Sequence, residues 1–102
     1  MQVTITGHNI EVTPALREYT EGKVSKVGKF LHNIIATHVI LKVEKQDQIV
    51  EITIHVRGSD LHSASRASDM YAAIDATIDK LERQAKKVKG KNEAKRKNSS
   101  PK

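Results

Sequence analysis

The sequence predicts an α+β domain of order β-α-β-β-β-α, a four-stranded sheet with two helices packed on one face. Three observations carry this. Apolar and polar residues alternate in the segments that read as strands, apolar residues recur every three or four positions in two others, and each helical segment begins behind a capping residue. At 102 residues the chain has room for one domain and one modest core.

From Met1 to Gly7, Val3 and Ile5 fall on one face and Gln2, Thr4 and Thr6 on the other, the period of a half-buried strand. Thr13-Pro14 then starts a helix, a hydroxyl to cap free amides followed by a residue that loses nothing by lacking an N–H. Leu16, Tyr19 or Thr20, Val24, Val27 and Leu31 form its apolar stripe, to about His32, with Gly22 and Gly28 weakening it. Period two returns from Thr37 to Lys45, with Val39, Leu41 and Val43 inward. Gln46-Asp47 reads as a turn, and Val50, Ile52, Ile54 and Val56 make the next strand. Gly58-Ser59 supplies a hairpin turn, and a fourth strand runs from Asp60 to about Ser65. Ser68-Asp69 caps a second helix with the stripe Met70, Ile74, Ile78, Leu81, Ala85 and Val88. Gly90 is the expected stop, leaving residues 1–90 as the domain and residues 91–102 as a basic, disordered tail. The parallel crossover from the first strand to the second is expected to be right-handed.

Cysteine is absent, which removes disulfides, thiolate metal sites and cysteine nucleophiles, and fits a reducing cytoplasm. No apolar run reaches membrane-spanning length, and the N-terminus reads as a strand rather than a signal peptide, so no membrane association is expected. The net charge of +6 is unevenly placed: residues 1–85 carry 10 Lys and Arg against 11 Asp and Glu, and residues 86–102 carry eight against one, so −1 and +7 make the total. A cationic end that continues from a helix points to a polyanionic partner.

Lys23, Lys26 and Lys29 are spaced three apart on the first helix, and Lys80, Arg83 and Lys87 follow a similar line on the second, with Lys86 beside it. Two adjacent helices would present these as a double row suited to phosphates. A solubilising surface partly neutralised by Glu21, Asp79 and Glu82 fits the same residues equally well. With three aromatics in the chain, folded RNA read by shape and backbone is favoured over stacking on unpaired bases.

If both turns are two-residue loops, Arg57 faces Asp60, His55 faces His62, Glu51 faces Arg66 and Lys42 faces Glu51, and His38, His55 and His62 form a row. Zinc is disfavoured there because the outer strands of the row would lie about 9.5 Å apart, so no metal site is assigned. Ser59, Asp60 and His62 sit too close along one hairpin to converge as a nucleophile, base and orienter, and no phosphate-cradling glycine loop is present. An enzyme is not expected.

The runs MQVTITGHNIEVTPALREY, VILKVEK and DMYAAIDATIDKLERQAKK resemble the ribosome hibernation promoting factor family, short form, over residues 1 to about 90; the ribosome-associated inhibitor is a related protein. The resemblance implies a fold like that of double-stranded RNA-binding domains. It further implies a cytoplasmic, ribosome-associated factor that binds the small ribosomal subunit and its RNA over the A and P sites. There it would exclude messenger RNA and transfer RNA and silence translation in stationary phase. Carried over by position, the RNA contacts are Lys23, Lys26, Lys29, Lys80, Arg83, Lys86 and Lys87. No cofactor or small-molecule substrate is implied, and the chain is expected to be a monomer off the ribosome. Long members add a C-terminal dimerising domain, for which a chain ending at Lys102 has no room. Short members cooperate with ribosome modulation factor in forming inactive ribosome dimers, which the resemblance implies here, although the tail KNEAKRKNSSPK is longer than the shortest forms need and lacks the acidic end of the dimerisation-opposing relatives. The competing readings are a general double-stranded RNA-binding module acting off the ribosome and an interaction domain for an acidic protein.

Overall fold

Alternation of side chains places the strands and capping places the helices, in the order β1 (Val3–His8), α1 (Pro14–Gly28), β2 (Ile34–Glu44), β3 (Asp47–Val56), β4 (Ser59–Ala67) and α2 (Met70–Ser99). The structure, a computed structural model, describes the backbone of residues 2–31 and 33–99, with side chains in α2 up to residue 87. The sheet runs β1-β2-β3-β4, with β1 parallel to β2 and the remaining pairs antiparallel. Inward residues of the strands, Ile5, Val39, Leu41, Val50, Ile52, Ile54 and Leu61, pack with Leu16, Val24 and Val27 of α1 and Ile74, Ile78 and Leu81 of α2 in one core. The opposite face of the sheet is uncovered and polar, carrying Thr4, His38, His62 and Arg66.

Both expected caps form. The Thr13 hydroxyl accepts the Leu16 amide at 3.2 Å, and the Asp69 carboxylate accepts the Ala72 amide at 3.0 Å. Helix α1 ends at Gly28, earlier than the apolar stripe suggests, because the chain tightens to three-residue bonds from Lys29, Phe30 and Leu31 and turns Leu31 into the core. The expected end, His32, lies outside the described residues. Helix α2 is longer than expected and passes Gly90 to reach Ser99. A glycine inside a helix costs only about 1 kcal/mol relative to alanine, and the Ala, Glu, Lys and Arg that follow favour helix. Residues 100–102 of the expected tail lie outside the described residues.

Both hairpin turns sit one residue earlier than expected. Lys45-Gln46 joins Glu44 to Asp47, with Lys45 at φ 56°, and Arg57-Gly58 joins Val56 to Ser59, with Gly58 at φ 83°. Each pairing is therefore shifted by two: Lys42 lies opposite Ile49, His38 and His62 opposite Thr53, His55 opposite Asp60, and Arg66 opposite Ile49. A shift of two preserves the inward face, so the core is the expected one while the cross-strand partners are not.

Thr37 is fully buried in β2, and its hydroxyl has no hydrogen-bond partner. Replacing Thr37 by Val keeps the shape and removes an unsatisfied group, and is expected to raise stability by about 1 kcal/mol in urea unfolding. Ile52→Ala, by contrast, should lower it by roughly 3 kcal/mol, whereas Ile49→Ala on the uncovered face should cost much less.

Candidate nucleic-acid interface

Helices α1 and α2 lie side by side and run in the same direction, because their partner residues ascend together. The Tyr19 hydroxyl donates to Asp75 at 2.6 Å, Lys23 lies 3.6 Å from the same carboxylate, and the Lys86 ammonium stands 5.1 Å from the ring centre of Phe30, just beyond α1. Tyr19 also meets Tyr71 edge to face at 4.9 Å and receives Lys23 over its ring at 5.4 Å. Beyond these contacts the helices border a groove lined by Lys23, Lys26, Asp75, Ile78, Asp79 and Glu82.

The expected double row of cations is not continuous. The core stripe of α2 turns Asp75, Asp79, Glu82 and Lys86 toward α1, so Lys23 and Lys26 face mainly carboxylates. Lys80 lies on the other flank, where its ammonium donates to the Ala64 carbonyl of β4 at 2.9 Å, and Gln84 donates beside it to the His62 carbonyl at 2.8 Å. Arg83 and Lys87 are exposed on the solvent side and on that flank, while Lys29 and Lys86 are exposed near the C-terminal end of α1. The carbonyl end of a helix carries partial negative charge, which Lys26 in the last turn and Lys29 at the cap offset. Free cationic character thus gathers toward the C-terminal half of the pair, and the N-terminal half is aromatic and acidic.

On the uncovered sheet face, His38, His55 and His62 do not line up. His55 Nδ1 is 2.9 Å from Asp60, His62 Nδ1 is 2.8 Å from the Thr53 hydroxyl, and His38 meets His55 only diagonally, ring centres 5.3 Å apart. Among the described residues no three His, Asp or Glu side chains converge as a metal cage. Lys42 still reaches Glu51, at 2.9 Å and diagonally, and that carboxylate holds the lysine pKa above its ordinary value. Arg66 pairs with Asp47 at 3.3 Å rather than with Glu51.

Two groups escaped the sequence reading: the Tyr19, Tyr71, Lys23 and Asp75 cluster, and the attachment of Lys80 and Gln84 to β4. A signal for the first exists in the three- and four-residue spacing of Asp75, Asp79, Glu82 and Lys86 along one flank of α2. The second depends on which backbone the helix lies against, which spacing does not report.

A single sheet covered on one face by two parallel helices, with a groove of charged side chains between them, defines a small α+β protein. The chain belongs to the Sigma 54 modulation protein / S30EA ribosomal protein family, whose profile matches residues 3–93. It is 48% identical over 91 residues to the protein named ribosome hibernation promoting factor from Klebsiella oxytoca, covering 89% of this chain and 96% of that protein. The protein of the same name from Pseudomonas putida is 45% identical over 94 residues, 92% of each chain. Among solved structures, the N-terminal domain of Protein Y from Thermus thermophilus superposes with a TM-score of 0.81 at 29% identity, covering 86% of this chain and 99% of that one. A ribosomal subunit interface protein from Coxiella burnetii gives 0.78 at 31% identity, covering 88% and 99%.

The hydrogen bond to Asp75, and the carboxylate charge behind it, push the Tyr19 phenol from 10.0 to about 12. A pKa raised on folding stabilises the native state below the unfolded value, and that contribution is lost as pH rises through the folded one. In an alkaline absorbance titration the Tyr19 phenol should therefore ionise at about pH 12, and Tyr19→Phe should delete that step.

Proposed function

We propose that this chain is a ribosome hibernation factor that binds the small ribosomal subunit and its RNA over the A and P sites. By occupying those sites it excludes messenger RNA and transfer RNA and silences translation in stationary phase. It does so as a monomer, sterically, without catalysis or a cofactor, and with ribosome modulation factor it promotes inactive ribosome dimers. The observation that carries the reading is near-full-length likeness to proteins named ribosome hibernation promoting factor.

The surface supports it electrostatically. Lys29, Arg83, Lys86 and Lys87 are exposed toward the end of the helix pair from which the Lys- and Arg-rich C-terminal segment continues, so phosphates of folded RNA meet several cations at once. Lys26 and Lys23 extend this set into the groove, and Lys80 adds charge at the β4 flank, where its ammonium already serves a carbonyl.

Purified protein should bind small subunits saturably and lose them when transfer RNA fills the P site; equal affinity for any RNA duplex would instead mark a general double-stranded RNA-binding module. Reversing Arg83, Lys86 and Lys87 to Glu should preserve the fold and weaken subunit binding at least ten-fold. Loss of three phosphate contacts should flatten the salt dependence by about 2.7 logarithmic units per decade. Sucrose-gradient profiles of stationary-phase lysates should lose the protein from ribosomal fractions in that variant.

A further inference from the structure

The acids that face α1 have no part in a surface built only to attract phosphate. Asp75 engages both Tyr19 and Lys23, and Asp79 and Glu82 line the groove that Lys23 and Lys26 share. Three carboxylates on one helical flank thus face two of the cations expected to meet RNA. Their cost to generic polyanion binding is twofold. Each repels an approaching phosphate, and Asp75 gives Lys23 an internal partner that RNA must displace. Exposed cations follow this acidic stretch: Arg83, Lys86 and Lys87 come next along the middle of α2, and Lys29 stands at the end of α1.

We propose that Asp75, Asp79 and Glu82 are specificity determinants. They suppress binding of ordinary duplex RNA along the groove, and they leave the two-helix surface competent for folded RNA whose phosphates gather at Lys29, Arg83, Lys86 and Lys87, past Glu82. Discrimination between two partners can come from a repulsive element as readily as from a new attraction. A uniform phosphate ladder laid along the groove meets the acidic stretch, whereas a folded RNA with phosphates clustered at one end avoids it. The identification of the preferred RNA as ribosomal rests on the function proposed above; the suppression of generic duplex binding does not.

The test compares the wild-type protein with Asp75→Asn/Asp79→Asn/Glu82→Gln, using an RNA duplex of about 16 base pairs, the span of one double-stranded RNA-binding domain, and purified small subunits. Asn at residue 75 retains an oxygen able to accept from Tyr19. The double variant Asp79→Asn/Glu82→Gln leaves the Tyr19, Lys23 and Asp75 cluster untouched should the triple variant unfold. At low salt the triple variant should bind duplex about ten-fold more tightly, with a smaller gain for small subunits, so that discrimination falls. Neutralising Glu11, Glu21 and Glu44 instead, exposed acids outside the groove, changes net charge equally and should preserve discrimination. Duplex affinity unmoved by the groove substitutions, or an equal gain from the control set, overturns the proposal. Small subunits that bind none of the proteins would overturn the ribosomal reading alone, because the duplex measurements still decide this one.

Discussion

The structure depends on covering one face of a four-stranded sheet. Val39, Leu41, Val50, Ile52 and Ile54 form a plane of side chains on that face that water would otherwise meet, and a single helix is too narrow to shield it. Two helices are needed, and each contributes an apolar stripe rather than an apolar surface. Their polar flanks are therefore brought together by the burial of their apolar ones. The groove between α1 and α2 is a by-product of covering the sheet, and every charge that lines it takes its position from the core beneath.

Direction adds a second consequence. Since α1 and α2 run the same way, their backbone dipoles reinforce one another, leaving partial negative charge at the C-terminal ends and partial positive charge at the N-terminal ends. Lysines at the end of α1 and carboxylates such as Asp69 at the start of α2 each oppose the local dipole. The net positive charge of the chain itself comes from the Lys- and Arg-rich residues 86–102.

Much of the fold was legible because the signals are periodic. Alternation identified the inward face of every strand, and Thr13 and Asp69 announced the helix starts. What periodicity cannot report is register: sliding a strand by two residues leaves every side chain on its own face. Both turns consequently sit one residue from where Gln46-Asp47 and Gly58-Ser59 suggested, and the imagined histidine row gives way to His55 with Asp60 and His62 with Thr53. The cations were identified individually, but whether two helical rows face each other depends on rotation about each axis. The rotation of α2 is set by Ile74, Leu81 and Ala85 in the core, and it turns acids rather than Lys80 toward α1.

The grip of α2 on β4 has one more effect. A strand at the rim of a sheet offers unpaired carbonyls on which a neighbouring molecule can lay down its own backbone, and so begin edge-to-edge growth. Here an ammonium and an amide from the same helix occupy the carbonyls of Ala64 and His62, and the bulk of two side chains stands over that rim. Strand addition at that edge would have to displace both hydrogen bonds, so the helix that covers the core also guards the rim of the sheet.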